Sequence, residues 1–220
     1  MSEIDLCINI PKGFIVIISG VPGAGKTTVS YELLKRFDSF RIIEETDLMR
    51  EVLRGYNRYL EESFGEKARL VLDNIKIHEH TKLLDFEEMA EQMNIMKYSI
   101  RNIIARQKRK GINSIINGVH IVPSLMNELR DYDNIIYFNL YINSEEELRK
   151  RILIRDSNSY MLNETKFIFE KNKELSNSVD NFIALGSKLH RNIDSTTLTA
   201  KEVVDLIADS IIKATKQTTS

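Results

Sequence analysis

The chain is poor in cysteine and has no excess of charge of either sign. Cys7 is the only cysteine among 220 residues, so no disulfide can form within the chain, and we expect a reducing compartment. Lysine and arginine number 31 against 32 aspartates and glutamates, which gives a formal net charge of -1. Because that balance provides no bulk attraction to polyanions, we predict neither nucleic acid nor a membrane surface as a partner.

Long apolar runs and linkers are missing as well. Nowhere do 18 apolar residues follow one another, so the sequence predicts no membrane-spanning helix, and residues 1–9 do not resemble a signal peptide. The chain has no internal repeat, low-complexity tract or linker rich in proline and glycine. We therefore predict a single cytoplasmic domain over residues 1–220. The sequence does not indicate an oligomeric state.

Short runs of β-branched residues alternate with segments of helical spacing, which is typical of parallel strands joined by crossover helices. The five predicted strands are Phe14–Ser19, Arg41–Glu44, Ile112–Asn117, Asn134–Ile142 and Lys188–Ile193. Helices are predicted at Thr27–Phe37, Pro123–Arg130 and Glu145–Asp156, and capping boxes at Ser144 and Thr199 predict two helix starts. The fold class is α/β, with a five-stranded parallel sheet and helices on both faces.

Two segments are too long or too polar for simple crossover helices. Residues 48–110 predict two or three helices that form a substrate cover over the sheet edge. Residues 156–166 are rich in polar residues of weak periodicity, which predicts a mobile lid followed by a helix that ends near Leu185.

The predicted first strand leads directly into the sequence G-V-P-G-A-G-K-T-T, which fills the phosphate-binding pattern G-x-x-x-x-G-K-S/T. Its glycines let consecutive backbone N–H groups turn toward a polyphosphate, and the following helix points its positive end at the same anion. In this pattern Lys26 can reach the β- and γ-phosphates, and the Thr27 hydroxyl can hold Mg²⁺. The loop predicts a P-loop NTPase fold with ATP and Mg²⁺ as cofactors; the predicted nucleotide ligands are Gly20, Gly23, Ala24, Gly25, Lys26, Thr27 and Thr28.

Asp47 follows the second predicted strand, and therefore lies at the sheet edge where ligands bind in open α/β folds. A carboxylate there can align an acceptor hydroxyl and take its proton during phosphoryl transfer. Aspartate is also a favoured residue at helix starts. Both interpretations, a catalytic base and a cap for a helix Leu48–Leu53, stay open on the residues alone.

Two pairs of arginines are spaced four residues apart on predicted helices, so each pair shares a face. Arg50 and Arg54 suit an anionic acceptor, although an exposed helix face with Glu51 as partner explains the pair equally well. Arg151 and Arg155 lead into the predicted lid, where guanidinium groups offset charge on the transferred phosphoryl group. We predict catalytic roles for Arg151 and Arg155 and an acceptor role for Arg50 and Arg54.

Three blocks together resemble the motifs of the 2-phosphoglycerate kinase family and, more broadly, the small P-loop kinases such as shikimate kinase, chloramphenicol phosphotransferase and zeta toxin. They are the phosphate-binding loop, the segment T-D-L-M-R-E-V-L-R from Thr46 to Arg54, and the segment I-I-N-G-V-H-I-V-P from Ile115 to Pro123. The resemblance implies that Asp47, Arg50, Arg54 and His120 face a small anionic metabolite as acceptor. It also implies that Asn192–Thr196, with Asp194, forms the loop against the adenine.

The chain departs from that family pattern at two places. Asn117 stands where an acidic residue precedes Gly-Val-His in the family, and Ser157–Asn163 contains no arginine. Two other functions therefore stay open beside a metabolic kinase. One is a toxin- or resistance-type kinase that acts on a nucleotide sugar or an antibiotic, and the other is a non-catalytic ATP-binding interaction module.

Overall fold

One five-stranded, fully parallel sheet forms the centre of the computed structural model, which describes residues 10–72, 86–125, 129, 132, 134–155, 157 and 160–217. The strand order is β2-β3-β1-β4-β5. The strands are β1 (Ile15–Ser19), β2 (Phe40–Glu45), β3 (Asn113–Asn117), β4 (Ile135–Tyr141) and β5 (His190–Asp194). All five predicted strands are confirmed, with small differences at their ends.

Helices connect these strands at the predicted places. They are α1 (Lys26–Arg36), α2 (Thr46–Phe64), α3 (Glu66–Leu72), α4 (Phe86–Lys110), α5 (Glu145–Arg155), α6 (Thr165–Ala184) and α7 (Ala200–Gln217), with a 3-10 turn at Tyr160–Leu162. The capping box at Thr199 forms in full, since the Thr199 amide donates to Glu202 and the Glu202 amide donates to the Thr199 hydroxyl. Half of the helix predicted over residues 123–130 lies outside the described residues.

Alternate residues of β1 belong to two cores, one on each face of the sheet. Val16 and Ile18 pack in the cluster that includes α1, α5 and α7, whereas Ile15 and Ile17 pack in the cluster that includes α4. All five residues of β1 are buried, because the strand is covered on both faces. The predicted two-sided arrangement of helices is confirmed.

The predicted cover contains α2, α3 and α4 in its described part, while residues 73–85 lie outside it. Residues 156, 158 and 159 of the predicted lid also lie outside the described residues, and α6 begins at Thr165, at the end of that segment. Within the described ranges, no helix is long and apolar enough to cross a membrane. Because all strands run in parallel, their carboxyl ends meet at one edge of the sheet, and the predicted site residues follow those ends.

Candidate functional site

The turn between β1 and α1 is shaped for close backbone approach. A Cβ atom on Gly20 would lie 2.4 Å from the Leu140 carbonyl oxygen, so only glycine fits where the loop leaves the sheet. Gly25 is the N-cap of α1, and a glycine offers no side-chain acceptor to the free N–H groups of the first helical turn. Those N–H groups and the helix dipole suit a bound anion.

Lys26 lies at the centre of the charged groups of this edge. Its Nζ donates a hydrogen bond to the Val21 carbonyl over 2.9 Å, inside the loop. Burial lowers the pKa of Lys26 from 10.5 to about 8, while the negative charges of Asp47 and Glu45 oppose that change and the positive charge of Arg155 adds to it. Asp47 and Arg155, two further predicted catalytic residues, therefore both lie close enough to Lys26 to influence its charge.

A cavity of about 550 Å³ opens beside the phosphate-binding loop. The loop residues from Gly23 to Thr28 form one wall, and Arg151 and Arg155 of α5 contribute to another. The third wall is the segment between β5 and α7, with Ser195 and Leu198. Predicted nucleotide ligands and both predicted lid arginines are therefore brought together around one cavity.

Arg151 holds the third wall through its guanidinium group. Its Nη2 donates to the carbonyl oxygens of Ser195, at 2.5 Å, and Thr196, at 3.0 Å. On the other side its Nε donates to Glu147 over 2.9 Å. The guanidinium group thus has protein partners on both sides, and it faces the segment after β5.

The segment after β5 is also fixed by its own side chains. The Ser195 hydroxyl lies 3.4 Å from the Ala24 carbonyl oxygen of the phosphate loop and 3.1 Å from the carbonyl oxygen of Tyr141. The Asp194 carboxylate accepts hydrogen bonds from the Thr196 amide and hydroxyl. Ser195, rather than the predicted Asp194, lines the cavity; Asp194 shapes the turn that places Ser195.

On the other side of the loop, Asp47 lies in the first turn of α2, whose N-cap is Glu45. The interpretation of Asp47 as the cap of a helix beginning at Leu48 is therefore wrong, since the helix already begins at Thr46. Asp47 Oδ1 lies 3.6 Å from His120 Nδ1. The same His120 nitrogen lies 3.0 Å from the Thr46 hydroxyl, and the ring is completely buried. The start of α2 and the segment after β3 thus bring Asp47 and His120 together.

This contact requires Gly118. A Cβ atom built on Gly118 would lie 1.6 Å from Thr46 Oγ1 and 2.7 Å from Thr46 Cβ. The Gly118 amide also donates to the Ile18 carbonyl over 3.2 Å, which fixes the segment against β1. The glycine of the Gly-Val-His block is thus explained by close packing against the residue that precedes Asp47.

Arg50 and Arg54 share one acidic partner. Arg50 Nη2 lies 3.0 Å from Glu51 Oε1, and Arg54 Nη1 lies 3.3 Å from the same oxygen. Arg50 is 3% exposed, whereas the Arg54 side chain is 40% exposed. The alternative explanation of the pair, an exposed helix face with Glu51 as partner, is correct about Glu51. It does not explain Arg50, whose side chain is buried and not solvated. The hydrogen bond from Arg50 and the nearby guanidinium groups lower the pKa of Glu51.

Sequence reasoning missed Glu45. This residue pairs in register with Asn117 across β2 and β3, so its carboxylate stands next to the position that lacks an acid. Glu45 Oε1 and Asp47 Oδ1 are both buried and have no hydrogen bond within the part of the chain that the structure describes. Asn117 itself donates to the Ser30 hydroxyl of α1 over 2.9 Å. The acidic run Glu44-Glu45 before Thr46 was the signal in the sequence.

Known proteins that are similar to the chain in sequence are kinases. No protein-family model matches the chain. A 2-phosphoglycerate kinase of Methanococcus maripaludis is 28% identical over 217 residues, which cover 89% of this chain and 68% of that protein. One from another strain of the species is 33% identical over 150 residues, covering 64% of this chain and 47% of the relative. The chain spans between about half and two thirds of the length of the curated relatives it matches.

The fold is shared with a solved kinase. A shikimate kinase from Acinetobacter baumannii, in complex with shikimate, superimposes with a TM-score of 0.51 at 18% identity, covering 94% of this chain and 95% of that chain. Because the sequence follows 2-phosphoglycerate kinases over most of its length and the sheet follows that of shikimate kinase, we identify the chain as a P-loop kinase that resembles the 2-phosphoglycerate kinases.

Proposed function

We propose that the chain transfers the γ-phosphoryl group of ATP to a hydroxyl group of a small anionic metabolite of the 2-phosphoglycerate type. One observation carries the proposal. Lys26 of the phosphate loop is close enough to Asp47 for the carboxylate to influence its pKa, and Asp47 lies 3.6 Å from the buried His120. A group that binds phosphate and a group that can take a hydroxyl proton therefore lie within electrostatic reach of each other.

In this proposal ATP binds in the cavity of about 550 Å³. The triphosphate lies against the amides from Gly23 to Thr28, with its γ-phosphate toward Lys26. The base then lies toward Ser195 and Leu198, in the wall that Arg151 holds. In this arrangement Arg155, which lines the same cavity and influences Lys26, is the arginine that approaches the transferred phosphoryl group.

The residues of this edge also fit Mg²⁺. Thr27 is exposed at the cavity, and its hydroxyl is an oxygen ligand of the kind that Mg²⁺ takes in phosphate loops. Glu45 Oε1 and Asp47 Oδ1 are buried oxygens without a hydrogen bond in the described part of the chain, so each has a lone pair for a cation or its water. When bound, Mg²⁺ supplies positive charge that neutralises the phosphates.

Asp47, His120 and Lys26 have different roles in the proposed reaction. Asp47 accepts the proton of the acceptor hydroxyl as the new P–O bond forms, while the bond between the γ-phosphorus and the oxygen of ADP breaks. His120 lies on the buried side of the Asp47 carboxylate, with Nδ1 3.6 Å from Oδ1, and its ring limits the positions that the carboxylate can take. Lys26 stabilises the charge on the phosphoryl oxygens, because it already points into the loop that binds them.

The acceptor is negatively charged in this proposal because Arg50 and Arg54 lie three and seven positions after Asp47 on α2. Guanidinium groups bind carboxylates and phosphates through paired hydrogen bonds. Glu51 already contacts both arginines and is itself half exposed, so an anionic acceptor can share or replace that contact. Relatives named for 2-phosphoglycerate favour this metabolite over other acceptors.

A panel of acceptors tests the proposal. ATP consumption is followed with 2-phosphoglycerate, shikimate, a nucleotide sugar and chloramphenicol, and we expect turnover with 2-phosphoglycerate. Lys26→Ala lowers that turnover by on the order of 10², whereas Lys35→Ala, at an exposed lysine of the same helix, leaves it unchanged. Normal turnover in Lys26→Ala contradicts the mechanism. Full activity of Asp47→Asn on every acceptor contradicts the base assignment.

A further inference from the structure

Two buried side chains hold the segment Gly118–Pro123, which carries His120, through its backbone carbonyl groups. The Tyr137 hydroxyl donates to the Ile121 carbonyl oxygen over 3.3 Å. His190 Nε2 lies 3.0 Å from the Pro123 carbonyl oxygen. Both side chains come from neighbouring strands, β4 and β5, and neither lines the cavity.

Tyr137 also contacts the strand that leads into the phosphate loop. Its hydroxyl lies 2.5 Å from Ser19 Oγ, and Ser19 is the last residue of β1 before Gly20. Burial raises the pKa of Tyr137, so the hydroxyl keeps its proton and can donate it. One phenol group therefore connects the segment that carries His120 with the start of the phosphate loop.

His190 supports the tyrosine and the same segment. Burial lowers the pKa of His190, which keeps the ring neutral at pH 7, with one N–H group. Since Pro123 offers only a carbonyl oxygen, Nε2 carries that proton, and Nδ1 accepts from the Ser187 hydroxyl at 2.6 Å. The ring stacks on Phe182 with centroids 4.6 Å apart and lies 5.2 Å from the Tyr137 ring. The Tyr137 ring is thereby held independently of its hydroxyl.

We propose that Tyr137 is a positioning residue that sets the affinity for the acceptor by fixing the segment with His120 relative to the phosphate loop. The proposal rests on the proposed function, in which His120 and Asp47 form the acceptor side of the site. Tyr137 touches neither Asp47 nor His120 in the contacts described, so it acts through the Ile121 carbonyl group. His190 acts in the same direction through Pro123.

Tyr137→Phe isolates the hydroxyl group. The ring and its contact with His190 remain, and the Ser19 hydroxyl, which loses the phenol oxygen as a partner, can donate to Asn139 Oδ1 at 3.2 Å. The Ile121 carbonyl group loses its bond to the phenol. We expect the KM for the acceptor to rise by about 3- to 10-fold, as for one ordinary hydrogen bond, with the KM for ATP unchanged. Tyr98→Phe, at an exposed tyrosine of α4, is the matched control.

A second measurement does not need activity. Amide hydrogen exchange is compared between the wild-type protein and Tyr137→Phe, and we expect faster exchange in the peptide covering residues 118–123 while α1 exchanges as before. Unchanged exchange in that peptide, or an equal rise of both KM values, overturns the positioning role. A wild-type protein that phosphorylates no acceptor contradicts the proposed function alone, because hydrogen exchange still tests the role of Tyr137.

Discussion

Replacing Lys26 by methionine should stabilise the protein without nucleotide while it abolishes most turnover. Burial holds the pKa of Lys26 at about 8, below its value of 10.5 in a solvated chain. The charged form is therefore disfavoured by folding, which is the opposite of what a stabilising lysine would show. Methionine has a similar length and no charge, so the variant folds without this cost.

The expected size follows from that pKa. A fall from 10.5 to about 8 corresponds to roughly 3 kcal/mol, at about 1.4 kcal/mol for each tenfold change in the acidity constant. The variant also loses the hydrogen bond from Nζ to the Val21 carbonyl, which contributes about 1 kcal/mol. The net gain of about 2 kcal/mol raises the Tm by roughly 4–8 °C for a chain of this size.

The difference in stability between the wild type and Lys26→Met depends on pH. Below pH 8 Lys26 is charged in both the folded and the unfolded chain, so the full cost is present. Between pH 8 and 10.5 the folded protein releases the proton first, and the wild type gains stability relative to Lys26→Met as the pH rises. The advantage of Lys26→Met in Tm should therefore be largest near pH 7 and turn into a small deficit above pH 10.5, where only the loss of the Nζ hydrogen bond remains.

Thermal unfolding followed by circular dichroism, without nucleotide and between pH 7 and 10.5, measures this difference. Lys35→Met is the control, because Lys35 belongs to the same helix and its side chain is 70% exposed. An equal or lower Tm for Lys26→Met at pH 7, or a difference that does not shrink above pH 8, would refute the reasoning.

Three further predictions concern other parts of the site. Glu45→Gln should weaken Mg²⁺ binding in the presence of ADP by about 10-fold in calorimetry, as expected when one charged ligand is lost; equal affinity would contradict its role. Gly118→Ala should lower the free energy of unfolding by about 1–3 kcal/mol or more, since the new Cβ meets Thr46 at 1.6 Å; an unchanged urea midpoint would argue against that contact. Arg151→Lys should raise the Kd for a non-hydrolysable ATP analogue roughly 10-fold, because an ammonium group does not reproduce the guanidinium bonds to Ser195 and Thr196; normal affinity would show that the wall holds without Arg151.

The fold was predictable because its signals are local. β1 is a continuous buried run, the glycine loop follows at once, and the capping box at Thr199 marks the start of α7. The order of the strands was not predictable, since β2 and β3 are far apart in the sequence and pair directly. Pairing between distant strands depends on packing that no short window of sequence contains.

The site was predictable only in part, because some of its contacts join residues that are far apart in the sequence. The cavity does bring together Lys26, Thr27, Arg151 and Arg155, which the motif and the helical spacing indicated. The partners of Arg151 lie 44 and 45 residues away, so spacing on α5 could not reveal that it holds the segment after β5. Glu45 was missed because its importance comes from its register with Asn117 on another strand.

The hydroxyl of Ser195 has a consequence for how a nucleotide enters. It links the Ala24 carbonyl region to the end of β4, and Arg151 secures the same residue from α5. In the proposed function, this wall receives the base and is held by the bonds of Ser195 and Arg151, so little backbone entropy is lost there when the nucleotide binds. The loss of conformational entropy on forming the productive complex then comes mainly from ordering the acceptor side of the site and the ligands themselves.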